Sequence, residues 1–194
     1  TRSSICTKSC EEQNRRKQNA FVTRWPIVAS GVWEDSAAPD REFVWARINI
    51  PGPVDLWVLS VHLLTNDSKR PAEARELVAF IRKFVPAGAY LVVGGDLNTD
   101  TMRDRAFDAL DDVITIPDIL PADGRGQTGT NASRRKPYDD VLANQTLHKL
   151  STPVVIGSSK FPSGLVLDSR VYRPLSDVAP VKAGDSAAPQ MQHM

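Results

Sequence analysis

The stretch "GGDLN", Gly94 to Asn98, sets a carboxylate and a carboxamide two residues apart behind two glycines. In extended backbone, side chains alternate, so Asp96 and Asn98 are expected on one side. A carboxylate beside a fixed amide suits a site where water is oriented or deprotonated and a charged oxygen is held. The same two residues also suit a turn in which Asp and Asn cap their own backbone. The glycines permit a sharp bend and leave room for a ligand to approach.

Three further places carry usable chemistry. His62 ends the apolar stretch "LSVHLL" and shares a face with Ser60. A Ser60–His62 nucleophilic triad is not expected, because no G-x-S-x-G elbow is present and Ser60 lies within a strand. "PYDDVLAN" puts Asp139 and Asp140 on opposite sides of a segment where loop becomes strand, and His193 stands in the final "MQHM". His148, without an acidic neighbour in sequence, reads as a surface residue. Arg134, Arg135 and Lys136, just before the Asp139 strand, are candidate contacts to phosphate groups. Taken alone, they and Arg15, Arg16 and Lys17 read more readily as solvated surface charge.

These side chains need a frame. Short strands are expected in "NAFVTRW", "IVASGVW", "EFVWARINI", "DLWVLSVHLL" and "AYLVV", punctuated by Pro26 and by Pro51-Gly52-Pro53. Both faces of "LWVLSV" are apolar, which predicts a central strand covered on each side. Ala74, Leu77, Val78, Ile81 and Val85 follow helical spacing after Pro71, and Pro86 and Gly88 end that helix. A weaker helix is expected near 101–110, a strand at "PYDDVLAN" and another at "TPVVIG", with a loop-rich tail from Lys160. Strands and helices in this mixed order favour an α+β architecture. Residues 1–18 are polar and read as loop, and residues 19–194 as one domain.

Composition narrows the function. The chain has 194 residues, with 24 basic and 23 acidic side chains, a net charge of +1. No global field steers polyanions, so attraction to a phosphate ester must be local. No apolar run reaches the roughly 20 residues that span a bilayer. Cys6 and Cys10 fit either a small-loop disulfide or two free thiols, and export is the compartment mildly favoured. A monomer is expected.

Taken in order, "S-V-H-L", "G-D-L-N", "Y-D-x-V-L" and a final histidine resemble the endonuclease/exonuclease/phosphatase superfamily, in particular its deoxyribonuclease-I-like and bacterial sphingomyelinase-like members. "NAFVTRWPI" is similar to another strand of that family. The resemblance implies a four-layer α/β/β/α sandwich, incomplete in this chain, and hydrolysis of a phosphate ester with a divalent metal. It implies that Asp96 orients the attacking water and Asn98 helps hold it and the phosphate. His193 then bonds the phosphate and transfers a proton, Asp139 holds the His193 ring, and His62 stands near the leaving-group oxygen. The substrate is a phosphate ester, with nucleic acid a candidate.

The family's metal-binding glutamate, in a "Q-E" motif, has no counterpart, and Gln192 precedes His193 where an aspartate is usual. This predicts the latter part of a larger enzyme, truncated at both ends, with Mg²⁺ (or Mn²⁺ or Ca²⁺) expected only for the complete protein. Sphingomyelinase-type or phosphatase-type activity and a catalytically inactive binding fragment are the alternatives. A calcineurin-like metallophosphatase is disfavoured, because its "G-N-H-D" and "G-H-x-H" patterns are missing.

Overall fold

A computed structural model describes residues 4–6 and 19–194. The chain forms two units, one of Thr1–Ile116 with Asp140–Leu150 and one of Pro117–Asp139 with Ser151–Met194.

The first unit begins with β1, Ser4–Cys6, antiparallel to β2, Phe21–Thr23. A strand therefore stands within the segment read as loop. The rest of that segment, with the question of a Cys6–Cys10 bond and the basic run Arg15 to Lys17, lies outside the described residues. Next come β3 (Ile27–Glu34), β4 (Glu42–Ile48) and β5 (Leu56–His62), paired antiparallel in turn. Helix α1, Arg70–Phe84, connects β5 to β6, Tyr90–Asp96, which lies parallel to β5. Helix α2 (Arg105–Leu110), β7 (Asp139–Ala143) and α3 (Gln145–His148) follow, and the sheet order is β3-β4-β5-β6-β7. The class is mixed α+β. Among the described residues one five-stranded sheet and two two-stranded ones occur, so the four-layer arrangement is only partly present.

The helix forms where the spacing predicts it. Pro71 sits in its first turn, Ala74, Leu77, Val78 and Ile81 are buried, and Val85 leaves the helix in extended conformation ahead of Pro86. The buried residues pack against Trp57, Leu59 and Val61 of β5 and Leu91 and Val93 of β6 in one core. Each such side chain contributes about 1.5–3 kcal/mol by leaving water. The opposite face of β5, with Leu56, Val58 and Ser60, is only half-buried, so the strand is sealed on one side rather than two. Helix α2 starts later than expected because Asp104 caps it, accepting from Ala106 N–H at 2.9 Å. Helix α3 was not foreseen. Its cap is Asn144, which accepts from Leu147 N–H at 3.1 Å.

The second unit is built mainly of loops. β8 (Val154–Ile156) pairs with β9 (Ser159–Phe161), and 3₁₀ turns occupy Leu175–Val178 and Asp185–Ala187. Side chains do much of the holding. Ser186 and Ser169 exchange bonds, each hydroxyl accepting from the other's N–H at 3.0 and 2.9 Å. No helix of the described residues is long and apolar enough to cross a membrane.

Candidate functional site

In the first unit the two glycines have different reasons. A Cβ on Gly95 would lie 2.1 Å from the Val61 carbonyl oxygen, and its φ is +138°. The residue is glycine because neighbouring strand backbone, rather than a ligand, comes close. At Gly94 the nearest atom, the Asp140 carbonyl oxygen, would be 3.4 Å away, an ordinary contact.

That close approach brings the ends of two parallel strands level. His62 and Asp96 are register partners, and His62 Nε2 lies 3.4 Å from Asp96 Oδ2. Both are partly accessible, with side-chain exposures of 28% and 14%. A carboxylate so placed fixes the orientation of the imidazole.

Strand β6 ends at Asp96, so the alternation expected to carry on to Asn98 does not. Asn98 has φ +52°, a left-handed conformation that asparagine tolerates. Its N–H donates to Asp96 Oδ1 at 2.9 Å, the self-capping turn weighed from the sequence. Its Nδ2 donates to the Leu63 carbonyl at 2.8 Å, and the residue is 6% exposed. One amide hydrogen of Asn98 thus braces the chain next to His62.

In the second unit His193 Nδ1 lies 2.8 Å from Asp139 Oδ2. This contact suits Nδ1–H as donor, which leaves the lone pair of the neutral ring on Nε2. Asp139 is itself held, its N–H donating to Thr130 Oγ1 at 2.8 Å. The chain around His193 is fixed to the same loop. Asn131 and His193 form an isolated antiparallel bridge, Ala132 N–H donates to the Gln192 carbonyl, and Met194 N–H to the Thr130 carbonyl. Thr130 drew no notice in the sequence, and an isolated threonine carries no signal that would have found it.

The basic run divides. Arg134 is folded inward. Its Nη2 donates to Asp123 Oδ2 at 2.8 Å, its Nε lies 3.4 Å from Asp168 Oδ2, and its Nη1 bonds the Gly129 carbonyl. Arg170 binds the same Asp168 through two nitrogens, at 2.8 and 2.6 Å. Burial raises the Asp123 carboxyl, but Arg134 and the N–H groups of Gln127 and Arg125 outweigh it and hold the group below the usual range. The Arg170 hydrogen bond likewise lowers Asp168, and Arg170 is raised in return. Arg135 is exposed, and the Lys136 ammonium lies 5.7 Å from the Tyr138 ring centre. Arg134 is thus a structural residue of its loop. His148 is exposed, as expected.

A family model described as "Endonuclease/Exonuclease/phosphatase family" matches residues 3–177, and His193 lies beyond the matched span. No curated protein sequence matches the chain. Among solved structures, a functionally unknown conserved protein from Enterococcus faecalis V583 is similar at TM-score 0.55 and 13% identity, over 64% of this chain and 58% of that one. Beta toxin from Staphylococcus aureus is similar at TM-score 0.51 and 17% identity, over 73% and 62%. SmcL is similar at TM-score 0.50 and 20% identity, over 66% and 53%. At these identities the likeness is one of fold. The chain spans between 53% and 62% of the length of these three structures.

Proposed function

We propose that this chain, which belongs to the endonuclease/exonuclease/phosphatase family, hydrolyses a phosphodiester, with nucleic acid as the preferred substrate class and the monomer as the working form. The family is one of metal-dependent phosphoric-ester hydrolases, so hydrolysis is the chemistry to assign. The observation that carries the reading is the level pairing of His62 and Asp96 at the ends of adjacent parallel strands.

Asp96 orients the attacking water and takes its proton, as a carboxylate in hydrogen-bond reach of water does. Asn98, with one amide hydrogen on Leu63, keeps the Asp96 turn in shape and offers the rest of its carboxamide to the phosphate. As the imidazolium, His193 donates from Nε2–H to a phosphate oxygen, while its Nδ1–H stays on Asp139, which fixes the orientation of the ring. His62 gives a proton to the leaving oxygen, and Asp96 fixes the orientation of its ring. Arg135 and Lys136 contact the substrate backbone, and Arg134 shapes the loop that carries them.

Mg²⁺ asks for a near-octahedral shell of oxygens. The His62–Asp96 and Asp139–His193 pairs each supply one carboxylate beside one imidazole, which does not complete such a shell. For the whole protein, the proposal includes Mg²⁺, Mn²⁺ or Ca²⁺.

The test is a panel of plasmid DNA, bis-p-nitrophenyl phosphate and sphingomyelin, each assayed with Mg²⁺ or Mn²⁺ in the full-length protein. Hydrolysis of the first two that is lost in Asp96→Asn supports the reading. Turnover of sphingomyelin alone moves the substrate to phospholipids, and silence on all three substrates overturns the enzyme in favour of a binding role.

A further inference from the structure

The four residues from the last of β5, His62, to Thr65 are held by several buried charged groups. Arg41 Nη1 donates to the carbonyls of His62 and Leu63, both at 2.9 Å. Arg70 Nε donates to the Leu64 carbonyl at 2.7 Å and its Nη2 to the Thr65 carbonyl at 3.0 Å. Glu73 Oε2 accepts from Leu64 N–H at 2.7 Å, and Leu63 N–H reaches the Asp96 carbonyl at 2.9 Å. Every carbonyl from His62 to Thr65 thus has a side-chain donor. The three side chains are sealed from water, at 6%, 2% and 0% exposure for Arg41, Arg70 and Glu73.

Satisfying a turn does not require this. Water or a short polar side chain would serve exposed carbonyls, and a buried guanidinium costs several kcal/mol of desolvation before its bonds return anything. Two arginines and a glutamate brought to one four-residue segment make sense where the position of that segment matters. Rigid placement of a reacting group within a fraction of an ångström is such a case.

We propose that Arg41, Arg70 and Glu73 are positioning residues for His62, fixing the backbone on which its imidazole stands. The inference rests on the role given to His62 above. Arg70 and Glu73 come from the first turn of α1, and Arg70 is tied to Asp104, the cap of α2. Both helices are thereby fastened to the strand end. Glu73 acts as a neutral acid. Burial, first of all, and the neighbouring Asp35 carboxyl push its carboxyl up to about 9, so it keeps its proton at neutral pH, and its Oε2 accepts from Leu64 N–H.

The chain has three histidines, so ring-labelled histidine gives three signals, and His62→Gln identifies the relevant one. In Arg41→Met, which removes two of the bonds, the His62 ring signal is expected to shift or broaden while that of His148 stays. Exchange of the Leu63 and Leu64 amides should speed up roughly tenfold or more, and kcat should fall roughly tenfold to a hundredfold with KM little changed. Glu73→Gln, which keeps both an acceptor and a donor, is expected to behave like the parent. Glu73→Leu should resemble Arg41→Met. A folded Arg41→Met or Glu73→Leu with the His62 ring signal and Leu64 exchange unmoved overturns the proposal. If neither variant folds, Arg41→Lys is judged by the same criterion. Unimpaired hydrolysis by His62→Gln, alongside a moved ring signal in Arg41→Met, overturns the catalytic role of His62 and leaves the positioning standing.

Discussion

Each of the two units presents a histidine next to an aspartate, and they do so by different means. In the first unit the pair stands on the ends of two neighbouring parallel strands, and backbone register brings the residues level. In the second unit Asp139, the first residue of β7, meets a histidine far away in sequence that comes from a region with little regular structure, where a hydrogen bond, a single bridge and an internal charge cluster hold the pair. The sheet derives its order from many equivalent bonds and a shared apolar face, so the loss of one side-chain contact is buffered. The loop unit depends on a few individually important groups. The lesson is that one chemical pairing can rest on distributed support or on concentrated support, and the two should fail differently.

The largest effects should appear in the chemistry. Asp96→Asn and His193→Ala are each expected to slow phosphodiester hydrolysis roughly 10²–10⁴-fold with circular dichroism unchanged. If both residues act on one transition state, the double variant should be little slower than the worse single one, because groups that work as a unit are not additive. Fully multiplicative losses would mean that the two pairs act separately.

Next should come Arg134→Met, which leaves Asp123 and Asp168 without their shared cation. Removing one partner of a buried ion pair costs about 3–5 kcal/mol. Concentrated support predicts that amide exchange accelerates in 123–136 and 168–173 while the β5 and β6 amides keep their protection. Equal loosening of the strands would erase the contrast drawn here. Gly95→Ala tests the other side. With a clash at 2.1 Å against backbone, it is expected to cost roughly 3 kcal/mol or more in urea unfolding. Gly94→Ala, one residue away, should cost roughly 1 kcal/mol or less.

A smaller and more graded effect concerns pH. Glu73 has its carboxyl raised from 4.5 to about 9 in the native chain, with Asp35 and Arg41 facing it. Between those values the unfolded chain has released a proton that the folded chain retains, so this group's contribution to stability is whole at acid pH and drains away as pH rises. The slope is at most about 1.4 kcal/mol per pH unit. Glu73→Gln has no such proton and should flatten the dependence seen in urea melts taken from about pH 5.5 to about pH 8.5. A parent and a variant with the same slope would show that Glu73 is ionised when folded.

How much of this could be read beforehand follows the same division. α1 was legible because its apolar residues recur with the helical period, and β5 and β6 because each is a short continuous apolar run bounded by turn residues. The level pairing of His62 and Asp96 was half legible: each was seen at a strand end, but parallel register is a property of two strands, not of either one. Asp139 and His193 were linked only through a family resemblance, since nothing in the local pattern around either residue points to the other. The internal partners of Arg134 were hidden for a related reason. In a run with Arg135 and Lys136 it looks like surface charge, and the partners that draw it inside, Asp123 and Asp168, come from distant stretches. Arg70 and Glu73 did leave a trace. They share the buried stripe of α1 with Ala74, Leu77 and Ile81, and a charge on such a stripe signals a buried partner. An acid in the first turn also fits the helix dipole, and that masks the signal of Glu73.

The strand ends carrying His62 and Asp96 advance together in steps of two residues, because a one-residue slip turns a side chain to the other face. Lengthening or shortening either strand by one residue would swing one member of the pair away, with no intermediate setting available. Descendants of such a scaffold would therefore diversify by exchanging the segments after the strands and leave strand length untouched, much as a lock keeps its cylinder while the key cuts vary.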